Sequence, residues 1–394
     1  MPSCDCHFVQ WKNRPGYRLS NGKIELTVLL GGGHIADFRL HGSPLNTLWE
    51  PPWTTIDPHT FSLPEHEALY GDISLGRMLS GYTGHAVVLG YFGMPSPAEA
   101  AAGLPLHGEA ASAEWKVVST KDGADFVSLT LEVELPVYKL HFRRTITLQA
   151  DASTAAVDET VVNRQSSETA FQWVQHVAFG EPFFTKADAS LFVPVSRAIT
   201  WPLGYEGHEL LPNNAEFAWP IAPTVAGGQV DLATPFQHDH TGFIASLLIS
   251  TERDRAYVAI HSRRQELIAG YCFDRARFPW IALWEENRAR SYPPWNGLAR
   301  VRGVEFGTSP MPLGLDHARK MRTLFDTPVL TSIPPNSQLS TAYEIFVSHV
   351  PSCWKTISDV VKSEGALVIR EGDTDEIRLK SSLPSEFVTG RKNA

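Results

Sequence analysis

Apolar and polar residues alternate with a period of two along much of this chain, and no other feature constrains the fold as strongly. Phe126–Val133, Leu140–Leu148, Ala155–Val162, Gly242–Ile249, Arg255–His261, Trp280–Trp284, Arg302–Glu305 and Ala342–Val347 all carry the pattern. Each such segment puts one face on a core and the other in solvent or a cleft. Tyr17–Val28 reads as two strands about the Asn21-Gly22 turn, a strong hairpin signal. Glycine (29) and proline (28) recur throughout, which favours short elements joined by turns over long helices. Strands at this density, without alternating helices, predict an all-β chain folded as a large antiparallel β-sandwich with a few short helices. Helical periodicity is confined to Asp316–Phe325 and Ser352–Ser363, so an accessory helical C-terminus is expected over residues 351–394.

Residues 46–110 differ from the rest, being dense in Trp, Pro, Gly, His and Tyr with little alternation. They read as a loop-rich insertion, and long loops of this content are more often functional than structural. No repeat or linker interrupts the chain, so residues 1–394 are expected to form one domain, with a loosely held polar tail after Leu383. Hydrophobic residues at 43% and charged residues at 20% permit a sizeable core. A formal charge of -9 with no polybasic run argues against nucleic acid or anionic membrane as a partner. No long apolar stretch and no signal-peptide pattern is present, so a cytoplasmic location is expected. Cys4, Cys6, Cys272 and Cys353 are too scattered for a disulfide framework. Cys4-Asp5-Cys6-His7 lacks structural-zinc spacing and reads as a frayed terminus.

Gly31-Gly32-Gly33-His34 lies between two strand-like segments, where a bulge or close backbone approach explains it better than a phosphate loop, which needs a following helix. Tryptophans at 49, 53, 280, 284 and 295 offer flat faces suited to the C–H faces of sugars, although core packing is the commoner fate of any single one. Residues able to do chemistry gather at a few places. His107-Gly108-Glu109 lies on a loop; Gln172, Val174 and His176 share one face of a strand; Gln237-His238-Asp239-His240 opens a strand; and Glu305 lies near the end of another. Trp284-Glu285-Glu286 supplies rival carboxylates.

Taken in order, these places resemble the galactose mutarotase-like (aldose 1-epimerase) superfamily. Thr145-Ile146-Thr147-Leu148 and Asn163 precede His176, Asp239-His240 follows, and Glu305 comes late, as in that family. Leu26–Phe38, Leu48-Trp49-Glu50 and Pro334-Pro335-Asn336 also match, so the resemblance spans residues 17–350. It implies a large β-sandwich with a sugar site on one concave sheet, a small-molecule carbohydrate as partner, and no metal or other cofactor. Carried over by position, His176 resembles the general acid, Glu305 the general base, His107 a substrate-orienting histidine and Asp239 a hydroxyl-binding carboxylate. Gln172, Trp284, Glu285 and Arg143 are further candidates for substrate contact. The family's His-Gly-x-x-Arg motif reads His107-Gly108-Glu109-Ala110-Ala111 here, so its arginine is missing. Of the adjacent Arg143 and Arg144, one can face the cleft and replace it.

The chemistry is self-consistent. Interconverting anomers takes a proton from the C1 hydroxyl and gives one to the ring oxygen, and a carboxylate with an imidazole can do both. His176 and Glu305 are therefore expected to face one open hollow, separated by the width of a pyranose. Two other readings remain: a lyase or hydrolase of a modified (keto or C-/O-) glycoside on the same fold, and a non-catalytic carbohydrate-binding protein. A divalent metal at His238, Asp239 and His240 is the alternative to a surface role for that cluster.

Overall fold

The computed structural model describes residues 4–383; Met1–Ser3 and the tail after Leu383 lie outside the described residues. The alternating segments form strands and the chain is all-β. It opens with a meander of β1 (Asp5–Trp11), β2 (Arg14–Ser20), β3 (Ile24–Leu29) and β4 (Ile35–Leu40). The insertion follows, with α1 (Leu63–Tyr70), α2 (Ile73–Gly81), β5 (His85–Gly90) and α3 (Pro97–Ala101). A second meander comprises β6 (Lys116–Asp122), β7 (Phe126–Leu135), β8 (Leu140–Gln149) and β9 (Thr154–Asn163). Next come β10 (Thr169–Phe179), β11 (Ala189–Phe192), β12 (Val195–Thr200) and β13 (Glu216–Phe217), then the small pair β14 (Ile221–Pro223) and β15 (Gln229–Asp231). The middle of the sandwich is completed by β16 (Thr241–Ile249), β17 (Arg255–Ser262), β18 (Leu267–Asp274), β19 (Trp280–Asn287) and β20 (Arg300–Gly307). After α4 (Leu315–Met321) come the short β21 (Thr323–Leu324), β22 (Thr327–Pro328) and β23 (Thr331–Ile333), the long β24 (Ser337–His349), and β25 (Asp359–Ser363), β26 (Ala366–Glu371) and β27 (Asp375–Lys380).

A twelve-stranded sheet runs β1-β2-β3-β4-β5-β10-β20-β19-β16-β12-β13, with β23 attached to β10, and an eight-stranded sheet runs β11-β17-β18-β24-β9-β8-β7-β6. Their inner faces meet in one apolar core: Trp173, Val177, Leu283 and Phe306 from the first pack with Phe142, Val157, Tyr271 and Phe273 from the second. The Phe273 and Phe306 rings stack with centroids 4.1 Å apart. This layer also encloses an ion pair, Arg144 to Glu159 at 2.8 Å, with both side chains buried, extended by hydrogen bonds to Gln175 and Tyr343. Residues on the other face of the large sheet are left to build a site.

Three expectations are corrected. Ser352–Ser363 is not helical: its last five residues form β25, and Trp354, Ile357 and Val360 bury against Tyr257 and Phe346 on the outer side of the eight-stranded sheet. The apolar spacing was real, but it serves a three-stranded flap. Cys4-Asp5-Cys6-His7 is not frayed, because Asp5–Trp11 pairs with β2 along its whole length and Cys6 packs on the core. The insertion is not merely loop, since it contributes β5 to the middle of the large sheet. Every residue of His85–Gly90 is buried, with Val87 and Leu89 in the core and Ala86 and Val88 covered on the opposite face. A strand covered on both sides loses alternation, so periodicity did not reveal it.

The glycine run makes the expected close approach. Gly33 adopts φ +61°, and a Cβ there would enter the Trp115 ring. His34 is buried with its ring nitrogens 2.9 Å and 3.1 Å from the carbonyl oxygens of Gly81 and Ala111. Arg14 donates to the carbonyls of Gly81 and Gly31. The insertion is thereby tied to the first meander.

Candidate active site

Strands β10 and β20 pair antiparallel in a register that sets Gln175 against Phe306 and Ala178 against Gly303. One position in from the first pair, His176 stands directly opposite Glu305, both on the outer face. Their cross-strand neighbours are Ala86 on one side and Ala282 on the other, small residues that leave space above the sheet. Gly303, two positions before Glu305, has the same effect: a Cβ there would collide with the Glu305 carboxylate and the Trp284 ring.

His176 Nε2 lies 3.3 Å from Glu305 Oε1, with both side chains almost fully buried. Tyr82, just past the end of α2, places its hydroxyl 2.7 Å from His176 Nδ1. The His107 ring packs 4.9 Å from that of His176. Gly93 N–H donates to His107 Nδ1 at 3.1 Å, which leaves Nε2 as the N–H of the neutral ring. His107 itself takes φ +66°, an uncommon conformation for a residue with a Cβ. Burial drives the electrostatics of the group. It raises the Glu305 carboxyl well above its ordinary range, lowers His176 to about 3, and, together with His176, lowers His107. Both shifts favour the uncharged forms, a protonated carboxyl beside a neutral imidazole, a pair with one titratable proton and no net charge.

These residues face a cavity of about 300 Å³. Its walls include Leu75, Met78 and Leu79 from α2, the indoles of Trp201, Trp284 and Trp295, and the charged Glu206 and Arg290. Arg290 is held by a dense network. It donates to Tyr205 Oη at 2.8 Å, Glu286 Oε2 at 3.1 Å and Glu206 Oε1 at 2.8 Å. Its guanidinium also lies 4.4 Å from the centre of the Tyr205 ring. Trp284 Nε1 donates to the same Tyr205 hydroxyl at 2.7 Å.

Of the residues singled out from sequence, His107, His176, Trp284 and Glu305 converge on this cavity. Gln172 shares the face of His176 but stands back from the cavity. Its amide oxygen accepts from Phe92 N–H at 2.8 Å and its amide nitrogen donates to Ser309 at 2.6 Å, holding the segment that carries Phe92 and Gly93. Glu285 points the other way, into the sandwich, where it accepts from Arg302 and from Phe236 N–H. Its neighbours Trp284 and Glu286 take the site side because adjacent strand residues face opposite ways. Asp239 lies in the turn before β16, half-exposed and paired with Arg300 at 3.1 Å, away from the cavity. Arg143 is exposed on the eight-stranded sheet beside Glu132, and Arg144 belongs to the core pair, so neither replaces the missing arginine. Arg290, from the β19–β20 connection, lines the cavity instead. Glu109 is buried and accepts from the N–H groups of Val137 and Tyr138, both at 3.1 Å, so it anchors the His107 loop. Trp49 and Trp280 are buried packing residues. Among the described residues, no group of three or more His, Cys, Asp or Glu is arranged to hold a metal ion.

Tyr82, Glu206 and Arg290 were missed from sequence. Tyr82 and Glu206 carry no local pattern, while Arg290 follows the Trp284–Glu286 strand end closely enough to have been a candidate.

The two packed antiparallel sheets have the galactose mutarotase-like fold. The chain belongs to the family described as Domain of unknown function (DUF4432), whose model matches residues 20–310. Solved structures with the same fold include a candidate aldose 1-epimerase from Klebsiella pneumoniae, 16% identical, with a TM-score of 0.63 over 87% of this chain and 82% of the other. A galactose mutarotase-like protein from Clostridium acetobutylicum is 13% identical, with a TM-score of 0.60 over 88% and 99%. A galactose mutarotase-like protein from Lactobacillus casei is 16% identical, with a TM-score of 0.51 over 84% and 100%. No curated protein matches the chain in sequence. At these identities the likeness establishes the fold.

Proposed function

We propose that the protein is a carbohydrate isomerase of the aldose 1-epimerase type, in which His176 and Glu305 move protons at the anomeric centre. The observation that carries this reading is the 3.3 Å contact between the two groups at the floor of a sugar-sized cavity. The two groups are in contact and not a pyranose width apart. The hydroxyl oxygen and the ring oxygen are both bonded to C1, so an acid and a base lying close together can serve both.

The unprotonated member of the pair takes the proton from the C1 hydroxyl as the protonated member gives one to the ring oxygen. The C1–O5 bond breaks and a C1 carbonyl forms. After rotation about C1–C2, O5 attacks the other carbonyl face. The same two protons return, and the pair ends as it began. Acid–base assistance of this kind contributes about 10²–10⁴-fold. His107 Nε2–H and Arg290 suit contacts to the remaining ring substituents. Glycoside hydrolysis ordinarily needs two carboxylates flanking the bond. Here the second carboxylate of the cavity, Glu206, is engaged by Arg290, which favours the isomerase.

Saturation-exchange NMR on a panel of aldoses tests the reading. Anomer exchange is expected to accelerate with the wild type and to fall about 10²–10⁴-fold in His176→Asn and Glu305→Gln with binding retained. Folded wild-type protein that accelerates no aldose overturns it.

A further inference from the structure

We infer that the preferred substrate is an aldose with a free anomeric hydroxyl in which at least one other hydroxyl is missing or capped by an apolar group, that is, a deoxy, O-alkylated or O-acylated aldose. This deepens the reading above and rests on it. The argument starts from what a hexopyranose needs. Besides the anomeric hydroxyl it carries four others, each a donor and an acceptor, and burying one without a partner costs about 1–3 kcal/mol. Beyond the His176–Glu305 pair, the strongly polar side chains facing the cavity are His107, Glu206 and Arg290. The last two hold each other. His107 presents an N–H, Arg290 only donates, and the indoles add donors alone. Glu206 is therefore the one charged acceptor left for sugar hydroxyls, and it is shared.

Much of the remaining lining is apolar. Leu75, Met78 and Leu79 of α2 are continued by Leu106, Met94 and Pro312. Tyr82, just past the end of α2, stands at the His176 ring, and the partly exposed Leu75 lies seven residues back along the helix, about 10 Å away at 1.5 Å per residue. Met94 is exposed as well. The apolar strip thus starts beside the reacting centre and reaches the surface, so a methyl, alkyl or acyl group remote from C1 has a continuous surface to lie against. One methyl or methylene in such a pocket changes kcat/KM by about 10–200-fold.

Matched sugar pairs test this: galactose with 6-deoxygalactose, glucose with 6-deoxyglucose, and glucose with 3-O-methylglucose, with anomer exchange followed by NMR. At least one deoxy or capped sugar is expected to exceed its parent by ten-fold or more in kcat/KM, and Met78→Gln is expected to shrink that ratio. The wild-type ratio decides the matter even if the variant fails to fold. Parents turned over as well as or better than every partner overturn the inference and leave the epimerase reading intact. If no sugar is turned over, the epimerase reading fails instead, and ligand-observed saturation transfer on the same pairs decides the preference. Tighter binding of a capped sugar then supports it, and equal or weaker binding by all of them overturns it.

Discussion

Gly303 leaves open the space that the Glu305 carboxylate occupies two positions further along the same strand. A side chain at 303 would compete with the carboxylate and with Trp284 for one volume. Gly303→Ala is therefore expected to displace Glu305 from His176, lowering turnover by at least about ten-fold while costing about 1–3 kcal/mol of stability, the usual range for an overpacked site. Steady-state anomer exchange beside a urea melt checks both halves. Unchanged turnover in a folded variant would show that the position of Glu305 does not matter.

The shared proton gives a pH signature in stability. A buried carboxyl with a raised pKa contributes stability that is present below its ordinary value of 4.5 and is lost as pH rises through the folded value. His176, lowered by burial from 6.5 to about 3, does the reverse: its contribution is present above 6.5 and is lost as pH falls. Above pH 4.5, up to 6.5 or to the folded Glu305 value if that is lower, the two offset each other. Glu305→Gln leaves His176 alone, so stability should gain a positive slope with pH relative to wild type, by about 1.4 kcal/mol per pH unit. His176→Asn should shift the slope by the same amount in the opposite sense. Urea melts across this range read both slopes, and shifts of the same sign in the two variants would refute the shared-proton state.

The same electrostatics bears on rate. Because burial lowers His176 to about 3, far from the ordinary histidine value, kcat should show no His176 inflection around pH 6.5. A clear single-proton step there would mean that His176 titrates as an exposed histidine does.

Arg290 meets Tyr205, Glu286 and Glu206 through a planar fork that a lysine cannot reproduce. Arg290→Lys is expected to raise KM about ten-fold with a much smaller change in kcat, as for loss of an interaction made equally in ground and transition states. An equal fall in kcat at unchanged KM would instead assign Arg290 to the chemical step.

Arg144 serves the core and not the site. Arg144→Leu strands the buried Glu159 carboxylate and should cost about 3–5 kcal/mol. Turnover per folded molecule should stay near wild type, because the pair lies between the sheets while the cavity is on the outer face. Denaturant melts with activity normalised to folded protein distinguish this from a direct role.

Much of the fold was legible in the sequence, because strand alternation reports which residues face a core. That parity also put Gln172, Val174 and His176 on one face, and it flagged that of the adjacent Arg143 and Arg144 only one can face a cleft. His107, His176 and Glu305 were readable as a set from their order along the chain. Tertiary structure decided the rest. Which residues stand opposite one another depends on strand register, and the β10–β20 register alone brought His176 within 3.3 Å of Glu305. Strand β5 was hidden because burial on both faces erases alternation. Asp239 and Arg143 lay on plausible strands yet were carried to the surface, while Tyr82 and Arg290 arrived from a helix end and a loop. Local periodicity fixes the side to which a residue points; only the packing of distant segments determines what it meets there.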